Sequence, residues 1–268
     1  MIARITDRLV LHPSRHPLPL EDKIAELLPY GRHQLEVLKM HVGDGDPQAY
    51  ILKFGGNGSR AEKAETHPGE VWPHLNAEIW AVNYPGYGNS TGRASLRAMV
   101  RTADLVYQQM ARVAGDKPIL VTGNSIGTTC TLYLAARRPV AGILLRNPPP
   151  LRQLIVGEHG WWNLWLGAKV VAAGVPAELD SIANAQHSHV PAVFLMSGRD
   201  RVVPPQYQHL IHRAYAGPMQ IVLDNEAGHS TPLARHVEAD YLRALEWLQC
   251  ETFSNPHPAP AAATLQAS

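Results

Sequence analysis

Six short apolar runs recur along the chain, and each is followed closely by Gly, Asn, Asp or Pro. Strands that are apolar along nearly their whole length are typical of a parallel sheet covered on both faces. The runs are Ala49–Phe54, Glu78–Asn83, Ile119–Thr122, Ala141–Leu145, Ala192–Ser197 and Met219–Leu223. Gln34–Val42 alternates less cleanly, and we expect it to be an earlier strand of the same sheet.

Between these runs, apolar residues return every three or four positions, which predicts helices with one buried face. The clearest pattern covers Ser95–Ala114, where Ser95 is a suitable N-cap. Shorter patterns follow at 207–214 and 233–248, and Thr231 and Pro232 are predicted to cap and open the last helix. Strands that alternate with helices predict an α/β fold with a mostly parallel sheet flanked by helices.

One stretch interrupts the alternation. Residues 147–190 separate two strands and contain Trp161, Trp162 and Trp165, and we interpret them as a short helical cap insertion over one end of the sheet. Residues 254–268 are rich in proline and alanine and are predicted to be a disordered tail. The chain is thus predicted to form one domain, 1–253, with a cap insertion at about 147–190.

Composition narrows the possible partners. The 24 Lys and Arg nearly balance the 23 Asp and Glu, so overall charge points to neither nucleic acid nor an anionic membrane. Two cysteines are too few for a disulfide framework and fit a reducing compartment. Charged residues interrupt the first ten positions, and the longest apolar run, Trp161–Val175, is short and contains Lys169. We expect a cytoplasmic protein with no integral membrane segment; oligomeric state stays open.

A candidate nucleophile lies between a predicted strand and a predicted helix. Gly123-Asn124-Ser125-Ile126-Gly127 matches G-x-S-x-G directly after Ile119–Thr122. The sharp turn forces the serine into strained backbone angles, so the residues two before and two after it must be small. The hydroxyl then lies at a helix N-terminus, where backbone N–H groups can stabilise an oxyanion. A glycine-flanked serine of no chemical role is the alternative interpretation.

A serine hydroxyl needs a base, and the base needs an acid that orients it. In this architecture the order along the chain is Ser, acid, His. Asp200 follows the strand 192–197 and His229 follows the strand 219–223, so both belong to loops at the carboxyl edge of the sheet. The competing acids are Asp180, Asp224 and Glu226, and His229 is one of 14 histidines, most of which are expected to be structural or exposed.

Two other segments of the chain are rich in glycine. Phe54-Gly55-Gly56-Asn57-Gly58 follows an early strand and can supply a second oxyanion donor, or it can be a plain turn. Gly86-x-Gly88-x-x-x-Gly92 has the wrong spacing for a dinucleotide loop.

The histidine pair His187-x-His189 lacks a third ligand nearby, so no metal is expected.

These motifs together resemble the α/β-hydrolase superfamily, in the group of Bem46-like and related lysophospholipase- or esterase-like proteins. The resemblance covers roughly residues 12–248. It rests on His12-Pro13-Ser14-Arg15, the Phe54–Gly58 loop, Asn83-Tyr84-Pro85-Gly86-Tyr87-Gly88-Asn89-Ser90, the Ser125 elbow, Gly198-Arg199-Asp200 and Gly228-His229. The family loop usually reads Phe-His-Gly-Asn, and here Gly55 replaces the histidine. The resemblance implies that Ile126 and Asn57 donate the oxyanion N–H groups.

The resemblance implies hydrolysis of an ester or thioester without a cofactor, on a small acyl substrate. The leading hypothesis is a serine hydrolase with Ser125 as nucleophile, His229 as base and Asp200 as the orienting acid. A peptidase or amidase with the same residues and a non-catalytic binding protein of this fold are the alternatives. At least one of Trp161, Trp162 and Trp165 is expected to line the substrate pocket, although packing or a dimer contact would also explain these tryptophans.

Overall fold

An eight-stranded sheet runs through the part of the chain described by the computed structural model, which comprises residues 2–72, 74–159 and 165–254. Its strands lie in the order β1-β2-β4-β3-β5-β6-β7-β8. They are β1 (Ile24–Tyr30), β2 (His33–Val42), β3 (Ala49–Phe54), β4 (Ala77–Val82), β5 (Ile119–Asn124), β6 (Gly142–Arg146), β7 (Ala192–Ser197) and β8 (Met219–Asp224). The β1–β2 and β2–β4 pairs are antiparallel and the others are parallel.

The strand predictions are confirmed: all seven segments form strands, with ends displaced by no more than two residues. The sequence pattern missed β1, because in this edge strand only Leu28 is buried while Ile24 and Leu27 face solvent. An edge strand has one unpaired side and needs no apolar alternation to be held, so its pattern is weak.

Eight α-helices flank the sheet within the described residues. They are α1 (Ile2–Val10), α2 (Leu96–Ala114), α3 (Gly127–Ala135), α4 (Leu151–His159), α5 (Trp165–Ala173), α6 (Ser181–Gln186), α7 (Pro205–Ala214) and α8 (Arg235–Gln249). As predicted, Ser95 caps α2, and its hydroxyl accepts the N–H of Ala98 at 3.1 Å. A short π-helix, Cys250–Ser254, follows α8, so most of the predicted tail lies outside the described residues.

The predicted start of the last helix is wrong. Helix α8 begins at Arg235 with Ala234 as its N-cap residue, not at Thr231 and Pro232. The reason is that the Thr231 hydroxyl accepts the Gly228 N–H at 2.9 Å, so it stabilises the preceding loop and does not cap the helix. The N–H of Ala234 instead donates to Asp224 at 3.1 Å, so a residue of β8 fixes the entry to the helix.

The insertion between β6 and β7 is helical, as expected, but its helices belong to two groups. Helices α4 and α5 pack on each other, whereas α6 packs on α3 and α7 and completes a layer on the sheet. Arg152 of α4 ties the two groups together, because it donates to the carbonyl of Val175 at 2.8 Å and pairs with Asp180 at 3.5 Å. Trp161 and Trp162 lie outside the described residues, as does the side chain of Trp165.

The sheet buries apolar side chains on both faces. One face carries Leu52, Val121 and Leu145 and packs against α2 and α3. The other carries Ile51 and Leu120, among others, and packs against α8. This two-sided burial is why the strands are apolar along nearly their whole length. No helix in the described ranges is both long and apolar enough to cross a bilayer.

The α8 face of the sheet is less fully covered near β3. The β3–β4 connection holds only two 3₁₀ turns, Ala61–Lys63 and Gly69–Val71. A cavity of about 630 Å³ lies between this connection, α8 and the strand ends. Lys53 projects into it from β3 and donates hydrogen bonds to the carbonyls of Glu65, at 2.6 Å, and His67. Lys53 therefore tethers the irregular connection to the sheet.

Burial lowers the pKa of Lys53 to about 8 from 10.5. Between these two pH values the unfolded chain binds a proton at this position that the folded chain has lost, so the free energy of unfolding rises with pH. Below pH 8 both states are charged, and the folded protein bears the full cost of burying the ammonium group.

We predict that the wild-type protein gains up to about 3 kcal/mol of stability from Lys53 between pH 8 and 10.5, and that Lys53→Met loses this gain. Urea titrations at matched pH values measure it as the difference between the two profiles. Lys63→Met removes an exposed lysine of the same connection and should leave the wild-type pH profile unchanged. Parallel profiles for Lys53→Met and wild type would contradict the prediction.

Candidate active site

Ser125 lies in a sharp turn between β5 and α3 and has a positive φ of 50°. A non-glycine residue in this region is strained and needs support from its surroundings. The Ser125 N–H donates to the Arg146 carbonyl at 2.8 Å, which continues the β5–β6 pairing, and the Ser125 carbonyl accepts the Thr128 N–H at 2.9 Å. The backbone on both sides of the serine is therefore fixed.

The glycines that flank Ser125 allow close backbone packing. A Cβ atom on Gly123 would lie 2.7 Å from the Thr128 N atom. One on Gly127 would lie 2.2 Å from the Phe54 carbonyl oxygen and 2.6 Å from that of Gly55. All three distances are far shorter than real Cβ contacts. Only glycine therefore lets the start of α3 approach the glycine loop after β3.

Asp200, which follows β7, contacts His229 directly. Its Oδ2 atom lies 2.7 Å from His229 Nδ1, and its side chain is fully buried. The Oδ1 atom accepts the N–H groups of Val202 and Val203, each at 2.8 Å. Because one oxygen is held by the backbone, the other is fixed in direction toward the imidazole.

The three competing acids have other partners. Asp224 accepts the N–H groups of Glu226 and Ala227, both at 3.1 Å, and that of Ala234. Asp180 caps α6, and Glu226 pairs with Arg199 at 2.5 Å. None of the three contacts His229 within the described part of the chain. The geometry therefore favours Asp200 as the carboxylate that orients the histidine.

The loop that carries His229 is held by the end of β6. The Asn147 side-chain amide donates to the His229 carbonyl at 3.1 Å, and the Arg146 guanidinium donates to the Thr231 carbonyl. Asn147 is fully buried and has a positive φ of 49°. Neither residue was predicted from the sequence, because the role of each depends on a contact between two loops that are far apart in the chain.

Gln208 of α7 is another residue near Asp200 that was not predicted from the sequence. Its amide donates to the Val203 carbonyl at 2.7 Å and lies 3.3 Å from Asp200 Oδ2. Gln208 is completely buried beside the apolar Ile211, three positions later on the same helix. A glutamine on the buried side of a helix needs internal hydrogen-bond partners, which is the sequence signal that could have indicated it.

Ser125 lies at 7% exposure, and the His229 side chain at 18%. The structure shows no hydrogen bond between Ser125 Oγ and a ring nitrogen of His229, both of which are among the described residues. That contact stays a prediction. Contacts of this kind are often long without substrate and tighten when it binds.

The two predicted oxyanion donors lie where the motif places them in the chain. Neither the Ile126 N–H nor the Asn57 N–H has an acceptor within residues 2–72, 74–159 and 165–254. Gly56, next to Asn57, approaches Ser125 so closely that an added Cβ would lie 3.4 Å from the serine Cβ. The Asn57 side chain faces the other way and bonds to His12 N at 2.8 Å and Val10 O at 2.6 Å. Both N–H groups therefore remain candidates.

The 630 Å³ cavity beside Lys53 is separate from the Asp200–His229 pair. Gly55, Gly123 and Asn124 form part of its wall, but Ser125, Asp200 and His229 do not. The described residues thus place a cavity behind Ser125, on the α8 side. Trp161, Trp162 and the side chain of Trp165 lie outside the described residues, so a role for them in a pocket in front of Ser125 stays a prediction.

No family model matches the sequence. An uncharacterized protein of Mycobacterium tuberculosis is 25% identical over 238 residues, which are 84% of this chain and 80% of that protein. The human alpha/beta hydrolase domain-containing protein 17C is 34% identical over 76 residues, or 28% of this chain and 23% of that protein. The sequence relatives thus include proteins that carry an α/β-hydrolase domain.

Solved structures are similar over nearly the whole chain. An esterase of Pyrococcus furiosus has a TM-score of 0.66 at 12% identity and covers 91% of this chain and 97% of its own. The acylaminoacyl peptidase of Pyrococcus horikoshii has a TM-score of 0.64 at 13% identity, over 89% of this chain and 43% of its own. Together with the sheet order and the elbow, these similarities show that the chain has the α/β-hydrolase fold.

We predict that Gly127→Ala lowers the free energy of unfolding by about 2 kcal/mol or more, because the new methyl group overlaps the carbonyls of Phe54 and Gly55. Chemical denaturation measures this loss. The matched control is Gly167→Ala in α5, where an added Cβ meets nothing within 4 Å. It should stabilise by about 0.5–1 kcal/mol, since glycine is a poor helix former. Equal effects would refute the packing argument.

Proposed function

We propose that this chain of α/β-hydrolase fold is a serine hydrolase that cleaves a carboxylic ester or thioester through an acyl-enzyme on Ser125. The observation that carries the proposal is the strained Ser125 turn together with the Asp200–His229 contact of 2.7 Å. Strain of this kind persists only where the fold supports it, and it concentrates at functional sites. The esterase neighbours support the hydrolase assignment.

The Asp200–His229 contact decides which ring nitrogen can act as a base. A carboxylate oxygen 2.7 Å from Nδ1 holds the proton on that nitrogen, so Nε2 carries the free lone pair. In the proposed first step, Nε2 takes the proton of the Ser125 hydroxyl while Oγ bonds to the substrate carbonyl carbon. The carbonyl π electrons move to oxygen, and Asp200 stabilises the resulting imidazolium.

The oxyanion then needs donors that are already in place. The N–H groups of Ile126 and Asn57 supply them in this proposal, since both lack an acceptor within the described chain. When the intermediate collapses, the bond to the leaving group breaks and His229 returns the proton to the departing alcohol or thiol. Water, deprotonated by His229, next attacks the acyl carbon. In the second collapse the bond to Ser125 Oγ breaks, His229 returns the proton to Oγ, and the carboxylic acid is released.

A peptidase or amidase that uses the same residues is the second candidate. The similarity to acylaminoacyl peptidases favours it, although the chain covers only 43% of such a protein. Amide and ester substrates of the same acyl group separate the two, because an amine leaving group depends more strongly on protonation by His229. Turnover of p-nitrophenyl esters without turnover of aminoacyl p-nitroanilides would support the esterase assignment.

We predict that Ser125→Ala and Asp200→Asn each lower kcat for a p-nitrophenyl ester by about 10³-fold or more, since the three residues act as a unit. Steady-state kinetics measure the loss. A fluorophosphonate probe should label the wild-type protein and should not label Ser125→Ala.

Asp180→Asn and Asp224→Asn are the matched controls, because both remove a buried or partly buried carboxylate charge that does not contact His229. Each should keep kcat within about tenfold of wild type. A folded wild-type protein that resists the probe would refute the proposal. A loss in Asp224→Asn equal to that in Asp200→Asn would overturn the choice of acid.

The proposal places at least one of Trp161, Trp162 and Trp165 in the substrate pocket. Aromatic walls are usual in sites that bind acyl groups. We predict that changing that tryptophan to Ala lowers kcat/KM for long-chain p-nitrophenyl esters by about tenfold or more relative to the acetate ester, because only the long chain reaches the ring. A kinetic series of acyl lengths measures this. Equal loss on all esters, or none, would leave the tryptophans a structural role.

A further inference from the structure

Helix α1 (Ile2–Val10) has an unusual orientation. Its buried residues are Thr6 and Asp7, whereas Ile2, Ile5 and Leu9 are 43%, 46% and 62% exposed. Three and four positions apart, these apolar residues lie along one face of the helix. An amphipathic helix of a globular protein normally turns its apolar face inward. Here Thr6 and Asp7 face inward, with Val10 partly buried beside them, whereas Ile2, Ile5 and Leu9 meet solvent.

Specific hydrogen bonds fix α1 in this orientation. The Thr6 hydroxyl donates to the carbonyl of Val171 in α5 at 2.8 Å. Asp7 accepts the N–H of Leu96, the first residue of α2, at 2.9 Å, and thereby satisfies a free donor of that helix. Gly174 leaves room for Thr6, since an added Cβ would lie 2.0 Å from the threonine hydroxyl. A rotation that buried the apolar face would break all of these contacts.

The helix that packs against α1 also carries an exposed aliphatic residue. Helix α1 packs against α5, and Val170 of α5 is 46% exposed. A group of large aliphatic side chains at such exposure, rimmed by polar residues, is typical of a surface that another phase or molecule covers. The described structure therefore indicates an exposed apolar surface on α1 that is made of Ile2, Ile5 and Leu9.

The charges around this surface identify what covers it. The two exposed charged residues of α1 are Arg4 and Arg8, and its single acid, Asp7, is buried. Arg93, just before α2, is 50% exposed and lies 3.9 Å from Asp7, and Arg97, in the first turn of α2, is exposed. Aliphatic residues on one side and arginines beside them are typical of helices that lie in the interface of an anionic membrane.

We propose that α1 docks the protein on the surface of an anionic phospholipid bilayer. Ile2, Ile5 and Leu9 enter the boundary between headgroups and acyl chains, and Arg4 and Arg8 contact lipid phosphates. The near-zero charge of the whole chain does not oppose this, because the attraction is local and falls off within a Debye length. The inference goes beyond the proposed function, and binding can be measured without any substrate.

The test is sedimentation of the full-length protein with vesicles of phosphatidylcholine that contain 30% phosphatidylserine, compared with pure phosphatidylcholine. We expect binding to the anionic vesicles, weaker binding to the neutral ones, and release at high salt. Leu9→Ser should weaken binding by about tenfold or more, since it removes a membrane-inserted side chain. Arg4→Gln combined with Arg8→Gln should weaken it by about tenfold on anionic vesicles only.

Ile24→Ser and Val113→Ser are matched controls, because both change an exposed aliphatic residue, at 71% and 54%, outside this surface. They should bind as wild type does, and circular dichroism and thermal melting check that every variant is folded. No binding to anionic vesicles, or binding that Leu9→Ser leaves unchanged, would overturn the proposal. A wild-type dimer in analytical ultracentrifugation that Leu9→Ser converts to monomer would overturn it in favour of a second copy of the chain.

Discussion

The hydrogen bond from the Ser125 N–H to the Arg146 carbonyl is the contact on which the candidate site depends. It extends the pairing of β5 with β6 one residue past the end of β5, so that the chain must turn sharply at the serine. The positive φ of Ser125 follows from this turn, and the glycines at 123 and 127 follow from the close packing that the turn imposes. The glycine loop after β3 then lies against the start of α3, with the candidate oxyanion N–H groups beside the nucleophile.

Two aspartates hold the turns that follow β7 and β8 in the same way. Asp200 follows β7 and Asp224 is the last residue of β8. Each accepts the N–H groups of the residues two and three positions later. In both turns one carboxylate oxygen is occupied by the backbone. The remaining oxygen of Asp200 faces His229, while that of Asp224 fixes the entry to α8. The same kind of turn therefore orients the His229 side chain in one case and helix α8 in the other.

Much of this arrangement could be predicted from the sequence, because local patterns determine it. Apolar runs indicated the strands, and the strand–turn–helix context indicated Ser125. Asp200 and His229 were placed by their positions after successive strands, with Asp180, Asp224 and Glu226 as competing acids. What escaped depended on distant contacts: Asn147 on the His229 carbonyl, Gln208 beside Asp200, and the start of α8, which Asp224 determines. Helix α1 was not predicted, and the direction of its apolar residues toward solvent escaped with it, since a periodic pattern does not say where a helix face points.

The end of β6 has a consequence for how such a protein can diversify. Arg146 binds the nucleophile turn through its carbonyl and the histidine loop through its guanidinium, and Asn147 adds a second bond to that loop. The insertion with α4 and α5 begins only a few residues later. The Ser125 turn and the His229 loop are thus held to each other by residues that precede α4. Changes of sequence within α4 and α5 can therefore leave the relative positions of the Ser125 turn and the His229 loop intact, because these contacts precede both helices.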